Sequence, residues 1–326
     1  MKKTKIFLIL TLIITVCLLA SIPEAISSGE DNKPIVVCTT TILGSFAKQV
    51  GGDKVSVHSI VPPGVCPAHY DVAPSDVYAV SKASLVIYSG FEPWLDDLIE
   101  ASGVNVTRVK VGGPWHPYTA ALKYVRKIRD ALKDALPEYS SYFEENAQTA
   151  CEEINATAQE IKGEAEELSV SQVKVICMQW QKAFVSWLGF NIIATYKSPE
   201  KLTTSEILNL TSIAEKEEVA LVIDNLPSGT KFGAKLAADV GAQHVILTNF
   251  PGAVPDTEKY AEMIEYNARQ LFEAVKRHRM MQGEIRQLTE ELNNASIQVK
   301  IFTATTIIFL VTTVVEALVI YKIRGR

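Results

Sequence analysis

The sequence is short of cysteine: it has 5 in 326 residues, and no C-x-x-C pair occurs. That excludes a small disulfide-stapled scaffold. It also lacks an excess of positive charge. Against 32 Lys and Arg stand 37 Asp and Glu, a net charge of −5, and no basic stripe runs along the chain. A nucleic-acid binder needs clustered cations to neutralise phosphates, so that class is set aside. Gly (17) and Pro (14) are at ordinary levels and 48% of residues are hydrophobic, which excludes a collagenous or disordered chain. No G-x-S-x-G elbow, H-E-x-x-H pair, Walker loop or G-x-G-x-x-G turn is present, and nothing points to an enzyme.

Long apolar runs are present at both ends. Lys2, Lys3 and Lys5 precede an apolar run from Ile6 to Ile22, followed by small residues Ser21, Ala25, Ser27 and Ser28. This predicts a signal peptide over 1–28. At the other end, Ile301 to Tyr321 carries one charge, Glu316. At about 1.5 Å per residue it is long enough to cross a hydrocarbon core of about 30 Å. Lys322, Arg324 and Arg326 follow and place the 322–326 tail on the cytoplasmic side, with the body extracytoplasmic. Sequons beginning at Asn105, Asn155, Asn209 and Asn294 are compatible with export.

Between the ends, short β-branched apolar runs alternate with helical patterns. Strands are expected at Pro34–Thr41, Val55–Val61, Leu85–Tyr88 and Thr107–Val111, with helices at Leu43–Val50, Pro74–Ala83 and Pro93–Ala101. From Thr119 to Leu168 no strand is convincing, and the pattern predicts one long helix or a tandem pair broken at Pro137. Alternation then resumes, with strands at Val173–Cys177, Asn191–Thr195, Ala220–Ile223 and His244–Leu247. Helices are expected near Ala183–Leu188, Thr204–Glu217 and Lys231–Val240, and beyond Tyr260 the chain is helical to the membrane.

The layout is thus an α/β lobe over 34–118, a linking helix over 119–169 and a second α/β lobe over 170–275. A helical stalk follows over 276–300, then a transmembrane helix over 301–321. Met281, Ile285, Leu288 and Leu292 follow 4-3-4 spacing on the stalk, which fits a plain helix better than a coiled coil, with weak dimerisation through it as the alternative. Cys38 and Cys177 sit in strand-like runs as core residues.

Ligands of such folds bind outside the carboxyl ends of the strands. Of the five histidines, His58 and His244 lie within strands and His278 among stalk cations. His69 (PPGVCPAHYDVAPSD) and His116 (GGPWHP) instead follow strands on one rim of the expected cleft, where neutral imidazole suits a divalent ion.

VVCTTTILGSFAKQVGGDKV, SIVPPG, PAHYDVAPSDVYAVSKASLVIYSGFEPWLDDLI and, near the end, LTNFPG…TEKYAEMIEYN resemble the TroA-like zinc- or manganese-binding receptors of ABC importers, from about Pro34 to Val275. The resemblance implies two Rossmann-like lobes with parallel sheets joined by a long backbone helix. It also implies one metal, Zn²⁺ or Mn²⁺, held between the lobes by two ligands from each, as cargo and not as a catalytic cofactor.

The ligand positions transfer unevenly. That family places a histidine directly after the proline of the first loop, where this chain has Ala68 with His69 one position on. Cys66 stands where an aspartate is common. His116 lies in the right connection, within a shortened motif. After the first strand of the second lobe, where the family carries His or Glu, ICMQWQKAF offers Gln179, or Gln181 with the gap placed differently. The family's last carboxylate matches Asn249.

Asp224 (LVIDN) is a carboxylate that could compensate, or equally a structural hydrogen-bonder, and Cys66 could enter as thiolate. The candidate metal ligands are therefore His69, His116, Gln179, Asn249, Asp224 and Cys66. Amide oxygens are weaker donors than imidazole or carboxylate for Zn²⁺.

The implied function is an extracytoplasmic receptor that captures a divalent transition metal and delivers it to an ABC permease. The C-terminal anchor suits a single-membrane cell such as an archaeon. The amides keep open the same fold with a chelated or non-metal solute, or a surface interaction and adhesion protein without transport. Proton competition at His69 and His116 predicts weaker metal binding below about pH 6.

Overall fold

A computed structural model of the chain describes residues 33–324. The expected signal peptide lies outside the described residues. The first sheet contains β1 (Ile35–Cys38), β2 (Ser56–Ser59), β3 (Ala83–Tyr88) and β4 (Thr107–Lys110), all parallel, in the order β2-β1-β3-β4. Between them run α1 (Thr41–Gly51), α2 (Pro74–Ser81) and α3 (Leu95–Ser102). The second sheet repeats the plan. Its strands β5 (Lys174–Met178), β6 (Asn191–Tyr196), β7 (Leu221–Asn225) and β8 (Gln243–Leu247) are parallel in the order β6-β5-β7-β8. Helices α6 (Lys182–Leu188), α7 (Thr204–Glu217) and α8 (Lys231–Val240) connect them.

The central strands are buried on both faces, and side chains sort by the period of two that a strand imposes. Val36 and Cys38 of β1, and Val175 and Cys177 of β5, enter a central core that runs through both lobes. Their neighbours Val37 and Ile176 face separate outer cores, one for each lobe. In each sheet the strand order reverses between two central strands, β1 and β3 or β5 and β7. The carboxyl ends at such a switch point leave a crevice.

Of the two readings of the linking segment, one long helix or a tandem pair, the structure has the pair. Helix α4 (Tyr118–Ala135) stops at Leu136, and Pro137 opens a short turn before α5 (Ser140–Glu167). Glu144 takes Arg129 at 2.9 Å and Lys133 at 2.8 Å, contacts that a straight helix would hold about 20 Å apart. The chain therefore folds back, and α5 alone passes from lobe to lobe. Asn146 donates to the Val50 carbonyl in the first lobe, and Lys162 to the Trp187 and Leu188 carbonyls in the second.

The last helix, α9 (Tyr260–Arg324), begins inside the body, with Tyr260, Ile264, Leu271 and Val275 buried. It lies along α5, with Lys259 beside its start pairing to Glu153 and Lys276 to Glu164. Two helices thus tie the lobes through one shared core. Beyond Met280 the side chains of α9 are exposed to Arg324. The helix contains a window of mean hydropathy 2.1, none of it buried, and is long and apolar enough to cross a membrane.

Candidate functional site

The connections leaving β1, β3, β4, β5, β7 and β8 converge where the two switch points face each other. From the first lobe comes His116, in the loop after β4. Its Nδ1 lies 3.1 Å from the Tyr260 hydroxyl at the start of α9, and that hydroxyl donates to the Trp115 carbonyl at 3.0 Å. The imidazole packs on Phe184 of α6 and on the Tyr260 ring. It is 4% exposed, and burial pushes its pKa down to about 3, so it is neutral. Its Nε2 is buried without a hydrogen-bond partner. Burial raises the Tyr260 pKa, so that hydroxyl keeps its proton.

From the second lobe comes Gln181, fully buried at the N-cap of α6, one turn before Phe184. Its Nε2 donates to Asn225 Oδ1 and to Asn249 Oδ1, both at 2.9 Å. Its Oε1 is buried and unpartnered. Asn225 is fixed in turn by donating to Ser228 Oγ at 2.8 Å. The loop carrying Asn249 is pinned across the lobes, because Trp115 Nε1 donates to the Asn249 carbonyl and the Trp115 ring meets Phe250. The floor is therefore an imidazole, three amides and aromatic rings. Thr40 and Thr41, at the carboxyl end of β1, add hydroxyl oxygens that are also buried and unpartnered.

The candidate residues divide. His116 and Asn249 meet at this floor, and of the two glutamines the buried one is Gln181. Gln179 is exposed, at the start of the short turn before α6. His69 is exposed on the turn Pro67–His69, and Cys66 is half-buried beside it. Trp94 Nε1 donating to the Pro67 carbonyl, and Tyr70 donating to Asp76, hold that loop. Asp224 is fully buried but faces the outer core. Tyr196 donates to its Oδ1 at 2.5 Å, His244 Nε2 sits 2.7 Å from its Oδ2, and Gly233 of α8 lies against it. Alternation along β7 sends Asn225 to the cleft and Asp224 away from it, so Asp224 lies apart from the floor.

For His116, burial works against the proton competition expected below about pH 6, since its pKa is pushed down to about 3. Cys38 and Cys177 are free, buried thiols, with Cys177 pushed up to about 12 by desolvation. Among the described residues no group of three or more His, Cys, Asp or Glu is arranged to hold a metal ion.

Asn225 and Tyr260 escaped the sequence reading, and so did a third cleft-side residue. Glu92, after β3, is buried, and its Oε1 accepts from Thr39 Oγ1 at 2.5 Å, from the Ser89 amide at 3.1 Å and from the Ser89 hydroxyl. Its Oε2 accepts from the Gly90 amide at 2.6 Å. It ties β1 to β3 at the switch point. Its signal was its place in FEPW, directly after a strand end.

Two parallel-sheet lobes facing each other at their switch points define a two-lobed ligand-cleft protein. The profile of the ZnuA family, "Zinc-uptake complex component A periplasmic", matches residues 36–274. The chain belongs to this family.

It is 24% identical over 313 residues to the manganese ABC transporter substrate-binding lipoprotein scaA of Streptococcus gordonii, covering 84% of this chain and 99% of the relative. It is likewise 24% identical to the manganese-binding lipoprotein MntA of Halalkalibacterium halodurans, covering 75% and 89%. In fold it is similar to the Mn-bound periplasmic metal binding protein of Candidatus Liberibacter asiaticus, with a TM-score of 0.63 at 15% identity over 74% of this chain and all of the other. These relatives are named as binding proteins, not enzymes.

Proposed function

We propose that the chain is a membrane-tethered, extracytoplasmic receptor that captures a divalent transition metal, of the zinc or manganese class, between its lobes and presents it to an ABC permease. The observation that carries this reading is the floor of the cleft in a chain of this family: a neutral imidazole from one lobe with an unpartnered Nε2, and an amide oxygen from the other, likewise unpartnered. Neutral imidazole nitrogen suits borderline divalent ions. The bottom of α9 supplies the tether, with Lys322 and Arg324 at its cytoplasmic end. Metal bridging the lobes would draw the cleft together, and the permease would read the closed surface.

A second reading is favoured by the chemistry of the same floor. His116, Gln181, Asn225 and Asn249 carry no negative charge to offset a bare dication, which fits a chelated or uncharged solute.

Thermal unfolding of the full chain in detergent, stripped with a chelator, separates the two. A ligand at 100 times its dissociation constant adds about 2.7 kcal/mol, a shift of roughly 5–10 °C. A selective rise with one of Zn²⁺, Mn²⁺, Fe²⁺, Co²⁺, Ni²⁺ or Cu²⁺, absent in His116→Ala, is the expected result. No rise with any of them removes the free metal as cargo.

A further inference from the structure

We infer that Tyr260 locks the proton of His116 on Nδ1, so that the cleft floor presents His116 Nε2 as a bare acceptor for a cation, with the unpartnered Gln181 Oε1 of the other lobe as a second acceptor. The argument is a count of hydrogens. A tyrosine hydroxyl has one to give. The Tyr260 oxygen sits 3.0 Å from the Trp115 carbonyl, which can only accept, and 3.1 Å from His116 Nδ1. Both contacts are made only when Tyr260 donates to the carbonyl and accepts from Nδ1–H. The neutral ring has a single N–H, so the proton rests on Nδ1 and Nε2 holds a bare lone pair.

The alternative tautomer would turn the tyrosine hydrogen to Nδ1 and leave the Trp115 carbonyl without it. Gln181 Nε2 donates to Asn225 Oδ1 and to Asn249 Oδ1, both at 2.9 Å, and its amide oxygen is the second unpartnered acceptor of the floor.

Tyr260 is thus a positioning residue for His116, reaching it from a helix that begins on the far side of the chain. It packs between His116 and Phe46 of α1, which holds its ring in place. Hydrogen-bond partners of this kind fix which nitrogen of a histidine ligates a metal, and their loss costs about 10- to 100-fold in affinity. The floor selects by sign. It accepts a cation or a hydrogen-bond donor, and an anion would meet two lone pairs.

The tautomer is independent of the receptor reading, whereas the choice of cation rests on it. The full chain, labelled with ¹⁵N-histidine in detergent and free of metal, should show the buried His116 resonance with a protonated Nδ1 and a bare Nε2. A His116→Gln sample assigns the signal. Tyr260→Phe should move that signal toward the Nε2–H form and weaken Zn²⁺ or Mn²⁺ binding about tenfold or more.

A wild-type spectrum with the proton on Nε2 overturns the inference whether or not metal binds. So does a Tyr260→Phe chain with the wild-type spectrum. A correct spectrum with no metal bound by any variant leaves the locked tautomer standing and refutes the cation as cargo.

Discussion

Burial without a charged partner decides what His116 can be. Desolvation alone lowers its pKa to about 3 from 6.5. In the unfolded chain the ring takes a proton below its ordinary value, and in the folded chain it does not. Stability is therefore complete above about pH 6.5 and declines as pH falls toward 3, with a ceiling on the order of 5 kcal/mol. Urea unfolding of the metal-free chain at pH 7 and pH 4.5 should show this loss, and His116→Gln should remove a large part of it. An unchanged difference in the variant would place the acid sensitivity elsewhere.

His116 was legible as a site residue because a histidine directly after a strand end in an α/β lobe has few places to go. His69 has the same credentials and ends up exposed, because the aromatic contact of Tyr70 with Trp94 and the bond from Trp94 to Pro67 orient that loop. Those contacts are long-range and leave no local trace. The choice between Gln179 and Gln181 was equally closed to sequence, since it depends on which residue caps α6.

At the scale of elements, β7 and α8 show two rules in competition. Replacing glycine by alanine inside a helix ordinarily gains up to about 1 kcal/mol. At Gly233 of α8 the new Cβ would stand 2.2 Å from Asp224 Oδ2 and 2.7 Å from Oδ1. That carboxylate cannot step aside, because Tyr196 and His244 hold it at 2.5 and 2.7 Å. Overpacking should win, and Gly233→Ala should lower stability by about 1–3 kcal/mol in denaturant melts. A stabilised variant would mean that the Asp224 network is loose.

Asp224 drew a ligand reading as a carboxylate at the end of a strand, and the structure places it in this network, apart from the floor. LVIDN ends a strand at the cleft side of the lobe, but the one-residue alternation of β7 turns the carboxylate to the outer face. Apart from the end of β1, three residues short of the expected Thr41, the strands and most helices were readable within one or two residues, since a parallel strand buried on both sides is a nearly unbroken β-branched run. The helical hairpin was half-readable: Pro137 marked the break, while the fold-back depends on Glu144 meeting Arg129 and Lys133.

For the whole molecule, the decisive object is α9, a single helix that is core, stalk and candidate membrane span in turn. Its first four turns are buried between the lobes and α5, Arg279 still donates to the Leu168 carbonyl at 2.7 Å, and Gln243 reaches the Met281 sulfur at 3.1 Å. Past Met281 its side chains are exposed as far as Arg324.

From there to Lys300 the helix extends roughly 30 Å at 1.5 Å per residue before the apolar stretch begins. In the proposed tether that distance would hold the cleft clear of a bilayer, and the continuous helix would fix its direction. Two consequences separate cleanly. The full chain should remain in the membrane fraction after an alkaline carbonate wash, because Ile301 to Tyr321 buries its apolar surface only in lipid.

A chain ending at Gln298 keeps every contact α9 makes with the body and should be released into solution. Its unfolding midpoint should lie within about 1–2 °C of the full chain, since no buried apolar area is lost. A full chain that washes off the membrane would show that the exposed helix is covered by protein instead of lipid. A truncated chain that unfolds much earlier would show that the body leans on the stalk.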